Sequence, residues 1–478
     1  MSGFLHGINI VQLKTKGSAI SFPASSIICL VGVSAYGAVN QLIQCLNTTD
    51  AAQFGANVPG NTIANALDSI YASGDCPVFV VNVFNSGSHL HAVTSEVVAV
   101  ANNKFKLANS PAPAPALVLK DSTNTTTYVL GTDYTIDAFG NGTVISNAIA
   151  TGNIHATYSY LDDTQVVQND IIGTDTGGNN KTGLQLFKLL TNTFGVKPKI
   201  VIAPGFSQIP AVSAAMASIA TFGRGIYPID SPAGTSVSNA ISGRGIGGTF
   251  GWNIADRRAM LMFNRFAKAN PDPAAANGSI IYDWYSAWMA GIIANMDNTI
   301  GYYNSPSNKP LPPEALSPEI PITCSLTDNS YDNQQLNAAG IVAYNIMYGS
   351  GINTFGNYSS YYPANTDPTG FTMVQRITDV LDDMTEKAMI PLLDSPITQA
   401  FIDYLVELNN TIIRTLTGIG ALVPGSTVVA NPSDNTPTTL AAGQIVLSRN
   451  YASAVPMNNL TIKSTFDVTL LANLVPQS

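Results

Sequence analysis

The stretch that most constrains this chain is its last patterned segment, LTIKSTFDVTLL, which runs from Leu460 to Leu471. Large apolar side chains recur at every second position with one interruption, and polar side chains mostly fill the positions between them. The apolar set is Leu460, Ile462, Phe466, Val468 and Leu470. A period of two predicts a β-strand with one buried face. Because only a short tail follows it, we expect no later strand to pair with this one as a hairpin.

A second strand-like segment without an evident partner is FLHGINIVQLKTK, near the other end of the sequence. Its alternation slips once around Gln12, and its apolar residues are Ile8, Ile10, Val11 and Leu13. An unpaired strand leaves backbone N–H and C=O groups without hydrogen bonds, which costs free energy. Strand addition to another copy of the chain satisfies these groups. We therefore predict two extended arms, residues 1–24 and 457–478, each donating a strand.

The composition also favours self-association. Charged residues make up 11% of the 478 residues, against roughly 25% in ordinary soluble proteins, and a surface poor in charge is weakly protected against contact with its own copies. The net charge is −9 and no cluster of Lys and Arg occurs, so we expect no nucleic-acid partner. No apolar run approaches the roughly 18 residues of a membrane span, so we expect no membrane insertion.

The order of apolar runs predicts an α/β core interrupted by a β-rich insertion. SSIICLVGV and CPVFVVNVF read as buried strands separated by helices, one of them near Asn40–Leu46. Residues 88–163 instead hold short alternating runs divided by Asn, Gly and Pro, the pattern of an all-β module. Strand and helix patterns then resume. We assign residues 25–87 and 164–362 to the core and residues 88–163 to an inserted β-rich domain.

Residues 363–456 predict an α+β C-terminal domain. TMVQRITDVLDDMTEKAM carries apolar residues at helical spacing. A second helix follows, with Ser395 as its N-cap and Pro396 at its first position. A loop at 424–438 and a strand in GQIVLSRNYASAVP complete the domain. The predicted fold is thus an α/β core with an inserted all-β domain, an α+β C-terminal domain and β-strand arms at both termini.

Motifs for catalysis are weak. GRGIGG at Gly243–Gly248 fits G-x-G-x-x-G but lacks the apolar strand before it and the helix after it that a dinucleotide site needs. We interpret it as a flexible loop. Ser207 could occupy a nucleophile elbow, but Ile209 stands where a small residue is required, and all four histidines precede the serine. We predict no enzymatic activity and no cofactor; an α/β hydrolase using Ser207 is an alternative.

Two other groups could bind a ligand but have simpler interpretations. His89 and His91 lack a third metal ligand at recognisable spacing, so we interpret them as exposed loop histidines. A set of aromatic residues could line a groove, yet such a set at helical spacing belongs more often to a core. These residues are Tyr282, Trp284, Tyr285 and Trp288.

A series of short motifs between Ala287 and Gly356 carries a family resemblance. In order they are Ala290-Gly291, Asp297, Gly301, Ser305-Pro306-Ser307-Asn308, Leu336-Asn337, Gly340-Ile341, Gly351-Ile352 and Phe355-Gly356. This order resembles the tail sheath proteins of contractile phages and R-type pyocins. APGFSQIPAV, the β-rich insertion and the C-terminal domain extend the resemblance over nearly the whole chain. The family often continues with Arg-Thr, where this chain has Asn357-Tyr358-Ser359, which puts in doubt a role carried by that Arg.

The resemblance implies a structural subunit of a contractile tail sheath. Such subunits polymerise helically around an inner tail tube, add their arms to the C-terminal domains of neighbours, and contract to drive the tube through the target envelope. Contacts between copies that do not close into a ring produce such helical assemblies. Implied partners are further copies, the tube protein, and baseplate and terminator proteins, in a virion tail assembled in the bacterial host cytoplasm. Another self-assembling capsid or surface-layer protein is the alternative.

The resemblance also implies that the C-terminal domain faces the tube. The helix at 374–389 is our candidate for this contact, because one of its faces is rich in acidic residues with a basic residue near each end. The charged residues concerned are Arg376, Asp379, Asp382, Asp383, Glu386 and Lys387.

Overall fold

The computed structural model describes residues 25–178, 180–245, 248, 250–346, 349 and 351–474. The predicted N-terminal arm, with Ile8, Ile10, Val11 and Leu13, lies outside these residues. None of the helices in the described part is both long enough and apolar enough to cross a membrane.

The first described segment forms three strands of a mixed sheet and two α-helices. Its elements are β1 (Ile28–Gly32), β2 (Ile43–Cys45), α1 (Thr48–Ala51), α2 (Thr62–Tyr71) and β3 (Val78–Asn82). Strands β1 and β3 are parallel and fully buried, as their apolar runs predict. The helix predicted near Asn40–Leu46 is wrong, because this segment forms the edge strand β2, antiparallel to β3. Pairing with the open edge of β3 overrides the local helical pattern.

Residues 90–161 contain strands and no helix, and their assignment as an inserted domain stays a prediction. The strands are β4 (Leu90–Val100), β5 (Lys104–Lys106), β6 (Val118–Lys120), β7 (Thr127–Tyr128), β8 (Tyr134–Ile136), β9 (Asn141–Val144) and β10 (Gly152–Leu161). They form two antiparallel sheets, ordered β4-β10-β6-β7 and β5-β9-β8. Phe105, Leu119 and Tyr134 belong to a hydrophobic cluster of this region alone.

The next segment adds one strand to the mixed sheet and also forms a second sheet of the core. The helices of this segment are α3 (Gln168–Ile172), α4 (Leu190–Phe194), α5 (Pro210–Gly223), α6 (Val237–Gly243), α7 (Tyr285–Thr299) and α8 (Asp332–Ala338). Its strands are β11 (Ile200–Ile202), β12 (Tyr227–Asp230), β13 (Ala259–Met262), β14 (Arg265–Ala269), β15 (Ile280–Trp284), β16 (Ser317–Pro318), β17 (Ile341–Asn345) and β18 (Asn353–Phe355). Strands β14, β15 and β16 form a small separate sheet.

Two four-stranded sheets build the core. Their orders are β11-β1-β3-β2 and β12-β13-β17-β18, and a parallel bridge between Ile200 and Ile226 connects them. Successive residues of β1 enter opposite clusters, with Cys29 on one face and Leu30 on the other. Helices cover both faces, which is why the strands are continuously apolar. On one face α2 and α7 pack closely at Gly291, where a Cβ atom would lie 2.5 Å from the carbonyl oxygen of Ile70.

The last region combines helices with a small sheet. Its elements are α9 (Thr372–Met389), α10 (Gln399–Gly418), β19 (Thr427–Val429), α11 (Pro437–Ala441) and β20 (Ser448–Asn450). The N-cap of α10 is Thr398, whose hydroxyl accepts the N–H of Phe401 at 3.1 Å, so the assignment of Ser395 is wrong. The predicted loop at 424–438 contains β19 and the start of α11. Strands β19 and β20 form an antiparallel pair.

The C-terminal segment does not form the predicted strand from Leu460 to Leu471. Residues 457–467 have no regular secondary structure, and Val468–Leu474 form a 3-10 helix. The carboxylate of Asp467 accepts the N–H of Thr469 at 2.9 Å at the start of this turn. A strand needs a hydrogen-bonded neighbour, and the described part of a single chain supplies none to this segment. In the single chain Val468 and Leu470 thus belong to a 3-10 turn, and a strand that includes them on a neighbouring copy stays a prediction.

Candidate assembly site

Helix α9 lies against the core through its charged side chains. Arg258, next to β13, donates two hydrogen bonds to the carboxylate of Asp379, with N···O distances of 2.6 and 2.7 Å. Asp379 is buried, and burial raises the pKa of its carboxyl although Arg258 acts in the opposite direction. The paired geometry of the guanidinium and carboxylate fixes both distance and orientation.

A second group of ion pairs lies one turn further along α9. Asp383 accepts hydrogen bonds from Lys199, from Lys197 at 3.2 Å and from Arg224 at 2.7 Å. Glu386 binds Lys197 at 2.8 Å and also Arg224, which lowers the pKa of its carboxyl. Burial lowers the pKa of Lys199, and the neighbouring Asp383 partly offsets this effect. Three cations of the core thus meet two carboxylates of α9.

The remaining charges of α9 bind on either side of this cluster. Arg376 forms a buried ion pair with Asp297, the last acidic residue of α7. On the other side, Asp382 accepts a hydrogen bond from Arg449 of β20 at 2.8 Å. Helix α9 therefore connects the core to the small sheet.

These contacts change the interpretation of the predicted tube-facing residues. Arg376, Asp379 and Asp383 are buried and paired within the chain, so the expectation that they face a partner does not hold in this structure. The sequence shows their charge but not the cations that lie opposite them after folding. Tube contact by Asp382, Glu386 and Lys387, which are more exposed, stays a prediction.

The C-terminal arm exposes most of its apolar surface. Its apolar side chains are between 62% and 79% exposed, and they are Leu460, Ile462, Phe466, Val468 and Leu470. The base of the arm is attached to the core at Asn458, whose side chain contacts Asn357 and the hydroxyl of Tyr358, each at 3.3 Å. The sequence did not predict this contact. It showed only that Asn357-Tyr358 stands where the family often has Arg-Thr.

The small sheet beside α9 has two different edges. On the outer edge of β19, the side chain of Asn410 accepts the N–H of Val428 at 2.8 Å and donates to its C=O at 2.9 Å. Asn410 belongs to α10, eighteen residues away in sequence. The outer edge of β20 has no equivalent contact in the described part of the chain. No sequence signal distinguishes Asn410 from other polar residues of an amphipathic helix.

The hydrolase alternative finds no support at Ser207. This serine is fully buried, and its hydroxyl donates to Asp230 at 3.1 Å. The same carboxylate accepts the hydroxyl of Ser286 at 2.5 Å and its N–H at 2.8 Å. Burial raises the pKa of Asp230 to about 7, against the lowering effect of these hydrogen bonds. The group joins β12 to the start of α7 and offers a substrate no access to the serine.

The other candidate sites are also built into the fold. His89 is buried and lies 3.1 Å from a carboxylate oxygen of Asp170, so its prediction as an exposed histidine is wrong. Tyr285 and Trp288 are core residues as predicted. In the loop after α6, the guanidinium of Arg244 donates to five backbone carbonyl oxygens. No group of metal-ligating side chains occurs among the residues that the structure describes.

Tyr282 and Trp284 behave differently from the other two aromatic residues. They are half-buried and lie beside Arg265, whose guanidinium carbon is 5.5 Å from the ring centre of Tyr282 and 5.0 Å from that of Trp284. Together they line part of a cleft of about 540 Å³ between the β-rich insertion and the core. The prediction of a core position is therefore correct for only part of the aromatic set.

Comparison with known proteins decides the family. The chain is 33% identical over 483 aligned residues to the tail sheath protein of Burkholderia phage BcepMu, with 99% of each chain covered. The chain belongs to the phage tail sheath protein family. It is also 26% identical to the tail sheath protein of Escherichia phage P2, over 65% of this chain and 74% of that one. No family model matches the sequence.

Solved structures share the fold at low sequence identity. The contracted helical sheath of the anti-feeding prophage matches with a TM-score of 0.60 and 14% identity, covering 98% of this chain and 100% of the other. The sheath complex of the extracellular contractile injection system PVC, in its contracted state, matches with a TM-score of 0.60 and 13% identity, covering 98% and 99%. Membership of the family therefore rests on sequence, and the sheath fold is confirmed by structure.

Several motifs that carried the family resemblance have structural roles. Gly291 allows the close contact of α7 with α2, and Asp297 forms an ion pair with Arg376. Gly340 and Gly356 have positive φ angles of 73° and 139°, which side chains other than that of Gly rarely adopt. At Gly356 a Cβ atom would also lie 2.9 Å from the Cα of Val342. These motifs are thus requirements of the core.

Proposed function

We propose that the chain is a structural subunit that polymerises into a helical sheath around an inner tail tube, through exchange of β-strands between copies. Contraction of the sheath then drives the tube through the target envelope. The C-terminal arm carries the proposal, because its five apolar side chains are at least 62% exposed and have no strand partner in the described part of the chain. Burying one such side chain completely is worth roughly 1.5–3 kcal/mol.

The acceptor in the proposal is the pair β19–β20 of a neighbouring copy. A sheet of two strands is marginal alone and gains stability from further strands. Main-chain hydrogen bonds between copies also tolerate rotation of the attached domains, since they depend little on the surrounding side chains. The arm of one copy would thus continue into the sheet of the next and keep the lattice connected during contraction.

The proposed partners follow from the same assembly. They are further copies of the chain, the tube protein, and baseplate and terminator proteins, within a virion tail that assembles in the host cytoplasm. The relative described as a helical sheath supports self-assembly. A matching chain from the anti-feeding prophage baseplate, with a TM-score of 0.57 and 13% identity, supports a place next to baseplate proteins. The free energy for contraction would come from the lattice, as a metastable arrangement converts to one that buries more surface.

A pair of substitutions on the arm tests the proposal. Phe466→Asp places a charge on the apolar face, whereas Thr465→Asp places the same charge on the polar face one residue away. We expect Phe466→Asp to reduce the polymerised fraction in sedimentation much more than Thr465→Asp. Both residues are exposed, so circular dichroism of the soluble variants should match the wild type. Equal effects on polymerisation would contradict burial of the apolar face in a neighbouring copy.

A further inference from the structure

We infer that a donated strand enters the C-terminal domain along β20 and not along β19, because Asn410 closes the β19 edge. This inference rests on the strand exchange proposed above, and it adds the position that the incoming strand takes. Its occupant is the C-terminal arm of a second copy of the chain.

Asn410 occupies the place that a neighbouring strand would take. Its amide oxygen accepts the N–H of Val428 at 2.8 Å, and its amide nitrogen donates to the C=O of the same residue at 2.9 Å. A side-chain amide has the same donor and acceptor groups as a peptide bond, so it reproduces both hydrogen bonds of a strand partner. The outward-facing backbone groups of Val428 are therefore satisfied before any arm arrives.

The opposite edge of the sheet remains open. Val428 lies directly opposite Arg449 in the antiparallel pair. Because the backbone groups of Val428 point away from β20, those of Arg449 must point away from β19. Outside the strand pairing, the backbones of Leu447 and Tyr451 form no hydrogen bonds within the described part of the chain, and both lie two residues from Arg449, on the same edge. These three alternate residues present a row of free N–H and C=O groups, which is the template for a further strand.

Side-chain contacts hold this open edge in place. The guanidinium of Arg449 donates to Asp382 at 2.8 Å and to the hydroxyl of Thr385 at 3.0 Å. The hydroxyl of Tyr451 donates to Thr378 at 3.1 Å. All three acceptors lie on α9, so the helix that is bound to the core also positions the edge. A rigid edge itself loses less conformational entropy when an incoming strand binds to it.

The arm of a second copy matches this edge in its pattern of apolar and polar side chains. It offers alternating apolar and polar residues over the length of a strand, and its apolar side chains are exposed in the single chain. On the acceptor, Thr427 and Asn450 are exposed and lie opposite each other, on the face away from Val428. The polar face of the arm would continue this exposed face, and its apolar face would lie on the side of α9 and α10.

Disulfide cross-linking in the assembled full-length sheath tests the inference. Each variant chain carries two new cysteines. One replaces Thr461, Thr465 or Thr469 on the polar face of the arm. The other is either Asn450→Cys on β20 or the matched control Thr427→Cys on β19. Neighbouring strands lie about 4.8 Å apart and a disulfide needs Cα atoms within about 7 Å. An arm beyond β20 would therefore reach position 450 but not position 427.

We expect a covalent ladder of subunits on denaturing gels for at least one arm position combined with Asn450→Cys, and none with Thr427→Cys. Ladders through position 427 would overturn the choice of edge while leaving strand exchange intact. Tubes without ladders for any combination would overturn the strand exchange itself. Three native cysteines are buried and one is half-buried. The parent chain, without the added cysteines, therefore measures the background of disulfides that the native cysteines form.

Adding Asn410→Ala tests the closing role directly. This substitution frees the backbone groups of Val428, so we expect ladders through Thr427→Cys to appear in the variant. Asn410→Gln keeps the amide but lengthens the side chain, and serves as the chemical control. Failure of Asn410→Ala to give any ladder through position 427 would overturn the assignment of edge closure to this residue.

Discussion

Arg258 binds Asp379 through two parallel hydrogen bonds of 2.6 and 2.7 Å that connect the core to the C-terminal helix. Asp379 is only 4% exposed, so its charge depends on this partner. A buried carboxylate without a cation is strongly unfavourable, whereas an exposed ion pair contributes little. The attachment of α9, and through it of β20, to the core therefore depends on this pair and on the neighbouring cluster around Asp383.

The first prediction concerns this attachment. Arg258→Gln leaves Asp379 buried without its cation, so we expect a loss of about 3–5 kcal/mol in the free energy of unfolding by urea. The control is Arg414→Gln on α10, whose pair with Glu407 is exposed, with an expected loss below about 1 kcal/mol. Similar losses for the two variants would contradict a structural role of the buried pair.

The second prediction concerns the contact of α7 with α2. Ala has the higher helix propensity, by roughly 1 kcal/mol, but a Cβ at position 291 would lie 2.5 Å from the carbonyl oxygen of Ile70. We expect Gly291→Ala to lower the free energy of unfolding by about 1–3 kcal/mol, the usual cost of overpacking. Gly418→Ala in α10 is the control, because nothing lies within 4 Å of its Cβ position. A stabilised Gly291→Ala variant would disprove the close packing.

The third prediction concerns pH. Burial raises the pKa of Asp230 to about 7 in the folded chain, above the value of about 3.9 for an unfolded Asp. The folded state then binds the proton more tightly, so this group contributes stability at low pH that is lost as the pH rises from about 4 to 7. Asp230→Asn removes the titration. We expect Tm to fall between about pH 5 and pH 7 by more in the wild type than in this variant. Parallel curves would refute the raised pKa.

How much of this could be predicted from the sequence depends on whether the deciding contacts are local. The runs around Cys29 and Phe79 are apolar at nearly every position, which predicts buried strands, and α9 has a clear helical period. The segment near Ile43 became a strand because β3 has an open edge beside it, which no local pattern reveals. The confirmed elements are those whose own sequence carries the signal.

The charges of α9 show the same limit at the candidate site. The sequence presents Asp379 and Asp383 as an acidic helix face, and such a face usually meets solvent. Their partners Arg258 and Lys199 are more than a hundred residues away, so only the folded chain brings them together. Asn410 was not predicted either, because nothing in the sequence marks the contact that it makes with Val428 in the folded chain. The arm was recognised because its alternation is local, but its state depends on a partner that a single chain lacks.

The most direct test of strand exchange is electron microscopy of a chain that lacks residues 457–478, compared with the full-length chain under the same conditions. The arm contributes nothing to the described hydrophobic clusters, so the truncated chain should fold and remain soluble. We predict tubes from the full-length chain and only monomers from the truncated one. Normal tubes from the truncated chain would contradict the account.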